Sequence, residues 1–205
     1  MKLKNLEALY VEQLQDMHSA ERQLVAALPK MVKAASHPGL AAAFKSHLEQ
    51  TKHHVVSVAG ILEGMGKKAG GKKCKAMEGL VKEGSEIIAE DAEEEVRDAG
   101  LICAAQKIEH YEIATYGCLR TFAALLGRVK ESTLLQKLLD EERTADEALT
   151  SLATAAINSQ AMSPPMDAEP RPKRAAAPRP KGASGASSAK KTVPPKSKPA
   201  SRGKT

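Results

Sequence analysis

"KIEHYEIATYG", residues 107–117, reads as the interior of a long helix with one residue out of place. Ile108, Thr115, Leu119 and Phe122 recur at three- and four-residue spacing and share a face, yet Glu112 falls in the middle of that face. An ionised carboxylate taken out of water without a partner is strongly destabilising. Something elsewhere in the chain must compensate Glu112.

The other helical stripes carry the same anomaly. Leu14, Met17, Glu21, Leu24 and Leu28 put Glu21 in line with the core, and Leu135, Leu138, Glu142, Ala145, Leu149 and Leu152 do the same for Glu142. The remaining stripe, Phe44, Thr51, Val55, Val58 and Leu62, has His47 and His54 one helical turn to either side of Thr51. A lone glutamate on an apolar face is ordinarily a flank residue whose stem packs while its head reaches water. Three that converge would raise one another's pKa and repel. Divalent cations remove that conflict. Carboxylates with a few imidazoles suit iron, manganese or zinc, and facing helices of bundles build two-metal sites from this inventory.

The expected centre therefore holds two divalent metal ions, iron or manganese, with Glu21, His54, Glu109, Glu112, Glu142 and Asp146 as ligands. Glu112 is expected to bridge, with Glu21 as its counterpart from the first helix. Glu109 and His18 each lie one turn before one of these and would be terminal ligands. Glu142 and Asp146 share a face of the fourth helix, and His54 or His47 completes the second. The Glu-x-x-His signature of di-iron bundles occurs nowhere in the chain. No residue is assigned to catalysis, and whether the protein is an enzyme stays open. Tyr111 and Tyr116 read as packing aromatics, with a redox role beside the metals as the alternative.

Helical periodicity runs through most of the first 161 residues, with no sustained alternation and only three Tyr and two Phe. Helices are expected over about 3–35, from "SHPGL" to "GMGKKAGGKK", and over about 92–127 and 131–160, with a shorter piece near 74–90. Long helices in two hairpins joined by a crossover describe an all-α, ferritin-like four-helix bundle with an extra short crossover helix. A simple up-down-up-down bundle is the competing topology.

Composition divides the chain into a bundle, 1–161, and a tail, 162–205. The tail holds 11 Lys or Arg against Asp167 and Glu169, a net +9, which leaves 20 basic and 23 acidic residues before it, a net −3. Nine of the 11 prolines lie there among Ala, Ser, Gly and Lys, a composition expected to stay disordered. Residues 170–205 are expected to bind DNA without sequence preference by neutralising phosphates. A solubilising extension with no dedicated partner is the alternative. An odd set of cysteines, Cys74, Cys103 and Cys118, and no apolar run of signal or membrane-spanning type suggest a soluble, cytoplasmic protein with reduced thiols and no membrane partner.

"LYVEQLQDMHSAERQLVAALPKM", "AFKSHLEQTKHHV", "CKAMEGLVKEG", "AAQKIEHYEIATYG" and "LDEERTADEALTSLA" together resemble the YciE/YciF stress-protein family, a bacterial branch of the ferritin-like superfamily. The resemblance runs through about residues 5–160. It implies a ferritin-like bundle with an extra short helix, a homodimer, a two-metal centre and a role in stress responses, without supplying a substrate. The family pattern carries over Asp16, Glu21, His47, Thr51, Glu109, His110, Glu112, Glu142 and Asp146, and His54 stands where the family has His or Gln. Two functions follow. One is a di-metal protein that oxidises metal or consumes peroxide; the other is a non-enzymatic bundle tethered to DNA by its tail.

Overall fold

The computed structural model describes residues 3–162; residues 163–205, and with them the expected tail beyond its first residue, lie outside the described residues. Among the described residues there are helices and no strands. Helix α1 spans Leu6–Ala34, α2 Pro38–Gly64, α3 Lys75–Ala89, α4 Glu94–Leu125 and α5 Val129–Leu152.

Local chemistry sets these limits. Asn5 caps α1 by accepting from the Ala8 N–H at 2.9 Å. Pro29 sits inside α1, which runs on to Ala34. Pro38 occupies the first turn of α2, where its missing N–H is no loss. Gly66 and Gly127, at φ 67° and 73°, end α2 and α4 in the left-handed conformation that a side chain disfavours. At each the following N–H reaches back to the helix: Lys67 to the Leu62 carbonyl at 2.8 Å, and Arg128 to that of Ala123 at 2.9 Å.

Two contacts decide the topology. The buried Asp98, near the start of α4, accepts from the Ser36 N–H at 2.9 Å and the His37 N–H at 2.6 Å, so α4 begins where α1 ends. At the other end Tyr10 donates to Glu131 at 2.9 Å and Arg128 to Glu7 at 3.2 Å, so α5 begins where α1 begins. Helices α1 and α5 thus run one way and α2 and α4 the other. The residues between α2 and α4 must climb the full bundle, and α3 makes that climb against α1 and α4. Its start is tied to α1: the Cys74 N–H donates to Ser19 Oγ, and Gln23 donates to the Cys74 carbonyl, both at 3.0 Å. This is ferritin-like connectivity, and the up-down-up-down alternative is excluded.

The core is built from the expected stripes, with Leu14, Met17, Leu24, Phe44, Val58, Leu62, Ile108, Leu119, Leu135 and Leu138 all buried. Two details differ from expectation. On α4 the inward position belongs to Tyr116 rather than Thr115, whose hydroxyl donates to the Tyr111 carbonyl at 2.8 Å. The fourth long helix is interrupted: α5 gives way to a π-helical turn, Ala153–Ile157, before a last turn, α6, Asn158–Met162. Both ends of the π turn, Ala153 and Ile157, are buried.

Candidate metal centre

Each long helix delivers acid or imidazole to one place. From α2 come His47 and His54, seven residues and so about 10 Å of helix apart. Facing them, α5 places Glu142 between the two: its Oε2 is 3.8 Å from His47 Nε2 and its Oε1 is 2.8 Å from His54 Nδ1. Helix α1 brings Glu21, with Oε1 at 3.5 Å from His54 Nδ1, and α4 brings Glu109, with Oε1 at 3.3 Å from His47 Nε2, together with Glu112 one turn on. All six side chains are buried.

Two overlapping sets result. His47, Glu109, Glu112 and Glu142 each offer an atom within 4.8 Å of the others, as do Glu21, His54 and Glu142. Glu142 belongs to both. One histidine, His54 or His47, is expected from α2; the fold supplies both, one to each set.

The hydrogen bonding is incomplete. Both oxygens of Glu112 and both of Glu142, one oxygen each of Glu21 and Glu109, both nitrogens of His47 and Nδ1 of His54 are buried without a hydrogen-bond partner among the described residues. Glu142 and the histidines approach one another without hydrogen-bond alignment. What partners exist lie at the rim. Tyr116 donates to Glu21 Oε1, and His54 Nε2 is 2.8 Å from Glu141.

The electrostatics follow from this crowding. Burial pushes the Glu21 carboxyl up to about 7, against the pull of His54 and with help from Glu142. Burial, then the charges of Glu142 and Glu21 respectively, pushes Glu109 and Glu112 well above the usual carboxylate range. For His54 burial opposes the cationic form, but Glu142 and Glu21 outweigh it and raise the imidazole to about 11. Burial holds His47 below its ordinary value, and burial with Glu21 raises the Tyr116 phenol. Without a cation the cluster holds protons instead. Buried oxygens and imidazole nitrogens with open lone pairs are the donor set of a divalent first-row metal, so this group can hold a metal ion.

Of the ligands expected from sequence, Glu21, His54, Glu109, Glu112 and Glu142 come together here. Asp146 does not join them. Its carboxylate accepts from Gln106 at 3.0 Å and lies 3.4 Å from the largely exposed His110. His18 turns to the backbone of Ala69, and Thr51 donates to the His47 carbonyl at 2.8 Å. Asp16 sits in a second polar cluster, where it accepts from Tyr111 at 2.9 Å and meets Lys72 at 3.1 Å, while Cys74 Sγ lies 3.1 Å from the same phenol oxygen.

Residues 5–162 match the family described as "Domain of unknown function (DUF892)". The chain belongs to that family. It is 44% identical over 162 residues to protein YciF of Escherichia coli (strain K12), covering 78% of this chain and 98% of YciF. The crystal structure of the E. coli stress protein YciF aligns with a TM-score of 0.73 over 76% of this chain and 99% of its own. YcfI from Rhodopseudomonas palustris, 36% identical, gives 0.71 over 73% and 96%. A Xanthomonas campestris protein at 19% identity gives 0.61 and shares the fold. The YciE/YciF resemblance and the ferritin-like bundle thus hold for this chain. No helix among the described residues is long and apolar enough to cross a membrane.

Proposed function

We propose that this chain is a stress-response ferritin-like protein that holds two divalent metal ions, iron or manganese, in the Glu/His centre and there oxidises metal or consumes peroxide. One observation carries the reading: Glu112 lies fully buried in the core with neither oxygen partnered among the described residues, beside Glu142 and His47 in the same condition and Glu109 with one unpartnered oxygen. When bound, such ions supply Lewis acidity and redox-active positions.

The chain's own residues have definite parts. Glu21, His54 and Glu142 would hold one ion, and His47, Glu109, Glu112 and Glu142 the other. The Tyr116 hydroxyl fixes the orientation of Glu21. Protons on Glu109 and Glu112 must leave before those oxygens can serve as ligands, so loading strengthens as pH rises.

Elemental mass spectrometry on the full chain, reconstituted with ferrous iron or with manganese, tests this. About two ions per chain are expected, lost in Glu21→Ala and Glu112→Ala. A Glu112→Ala protein with wild-type metal content would remove Glu112 from the ligand set, and a wild type without stoichiometric metal would end the reading.

A second reading rests on residues 170–205, which hold 11 Lys or Arg and no acid. There the bundle is a non-enzymatic body tethered to DNA. Its signature is sequence-independent, salt-sensitive DNA binding that vanishes when residues 163–205 are deleted; a truncated chain that still shifts DNA at moderate salt would refute it. Both readings take the protein as a homodimer in solution, which sedimentation equilibrium checks.

A further inference from the structure

The two ends of the centre differ in what surrounds them. At the His54 end the imidazole is wholly buried. The Tyr116 ring stands nearly perpendicular to it, with centroids 6.0 Å apart at 85°, and Glu141 meets Nε2. At the His47 end a cavity of about 200 Å³ opens between α2 and α5. Its walls are Ala43 and Phe44 on α2 and Ala145, Ala148 and Leu149 on α5, and His47 and Glu109 line it too. The gap has a sequence cause: three of those wall positions are alanine, so two helices at packing distance leave the space between them unfilled. His47 is 6% exposed, and neither ring nitrogen has a hydrogen-bond partner among the described residues.

We infer that this cavity is the portal by which a small uncharged molecule with a hydrogen-bonding head, a peroxide in the proposed function, reaches the His47 end of the centre, and that the His54 end is closed. Size selects the class. A water takes roughly 30 Å³ and drug-sized ligands fill sites of roughly 300–1,000 Å³, so the space suits a few heavy atoms and no larger substrate. Polarity agrees. The largely apolar walls disfavour an ion, Glu109 being the one acid among the lining residues, while Ser46, Gln50 and Thr144 in the same lining offer a polar head partners. Naming peroxide rests on the metal reading; the portal itself does not.

The test is therefore made on the metal-free full chain with hydroxyl radical, a water-sized uncharged probe that attacks an accessible imidazole ring in either protonation state, and peptide mass spectrometry to locate the oxidised residues. The exposed His53 and His110 serve as internal standards. His47 should react at least on the order of ten-fold faster than His54, which can react only through local opening of the bundle. Ala148→Phe, at the exposed rim, should slow His47 by a comparable factor and leave His110 unchanged. Ala145→Leu is the replacement should the phenylalanine variant misfold by circular dichroism. An unreactive His47, equal rates at His47 and His54, or a plugged variant as reactive as the parent would each overturn the portal. Manganese content measured on the same proteins separates the two ideas. A parent that binds no metal but shows the expected oxidation pattern removes the metal reading and leaves the portal standing.

Discussion

Two polar clusters lie in this bundle, and they are built on opposite terms. Around Tyr111 the groups satisfy one another: the phenol donates to Asp16, Cys74 contacts the same oxygen, and Lys72 neutralises Asp16 and Glu12 from the surface side. Around Glu112 carboxylate meets carboxylate, and most of the buried oxygens and imidazole nitrogens have no hydrogen-bond partner among the described residues. The same helices, α1 and α4, contribute to both. The chain can therefore close a buried polar network with its own side chains, and it has done so at Tyr111. The open valences at Glu112 are a feature of that place, and they are what the proposed metal centre would use.

The comparison can be broken most forcefully with metal. Manganese added to metal-free wild type should raise the thermal midpoint by roughly 10 °C or more, because an ion that binds only the folded chain adds its binding free energy to stability. Glu142→Ala, which removes the carboxylate common to both sets, should abolish the rise. A full shift in that variant would show that the ion binds elsewhere.

The pH dependence of the metal-free protein comes next. Folded Glu21 titrates at about 7 against an ordinary 4.5, and folded His54 at about 11 against 6.5. Both bind protons more tightly in the folded chain, so their contribution is complete below the ordinary values and is lost as pH rises through the folded ones. From pH 7 to 9 the midpoint should fall by several degrees, through His54 and with it Glu109 and Glu112, whose folded carboxyls are raised in the same direction. His47, shifted the other way, acts only below its ordinary value of 6.5. With manganese present the trend should flatten or reverse; a midpoint flat from pH 7 to 9 without metal would contradict the proton-holding cluster.

Paired substitutions sharpen the contrast further. In metal-free protein Glu112→Leu should gain up to about 3 kcal/mol in denaturant titrations, since it exchanges an unpartnered buried carboxylate for apolar bulk. Tyr111→Phe should lose about 1–3 kcal/mol, since it strips a partner from Asp16 and Cys74. Equal losses in both would erase the distinction between the clusters. The smallest effect belongs to Lys72→Ala, under about 1 kcal/mol, because its ammonium is partly solvated.

How far the sequence carries can be judged residue by residue. Glu21, Glu112 and Glu142 were legible because each interrupts an apolar stripe, and a charge in that position is conspicuous whatever its partners. The two hairpins and the short crossover were legible from periodicity and from the glycines that end α2 and α4. Asp146 lies beyond what the stripe pattern resolves. Four residues past Glu142 leaves about 40° of rotation around the helix, enough to turn it from the centre toward Gln106 and His110. The choice between Thr115 and Tyr116 has the same origin, since adjacent residues compete for one inward direction and the helix crossing decides. Using both histidines required knowing that Glu142 stands between them, which is a fact of packing across helices. The π turn at Ala153–Ile157 has no signature in its alanine-rich composition.

The order of helices has one last consequence. Glu21, His47 and His54 arrive on the first hairpin, α1 with α2, and Glu109, Glu112 and Glu142 on the second, α4 with α5. Neither hairpin alone carries either complete set. Docking brings Glu21 and both imidazoles onto three acids that the second hairpin has already gathered, so it is the step at which a complete ligand set first forms. An ion seated there would be gripped by both halves at once, and its release and their separation would be coupled through one free energy.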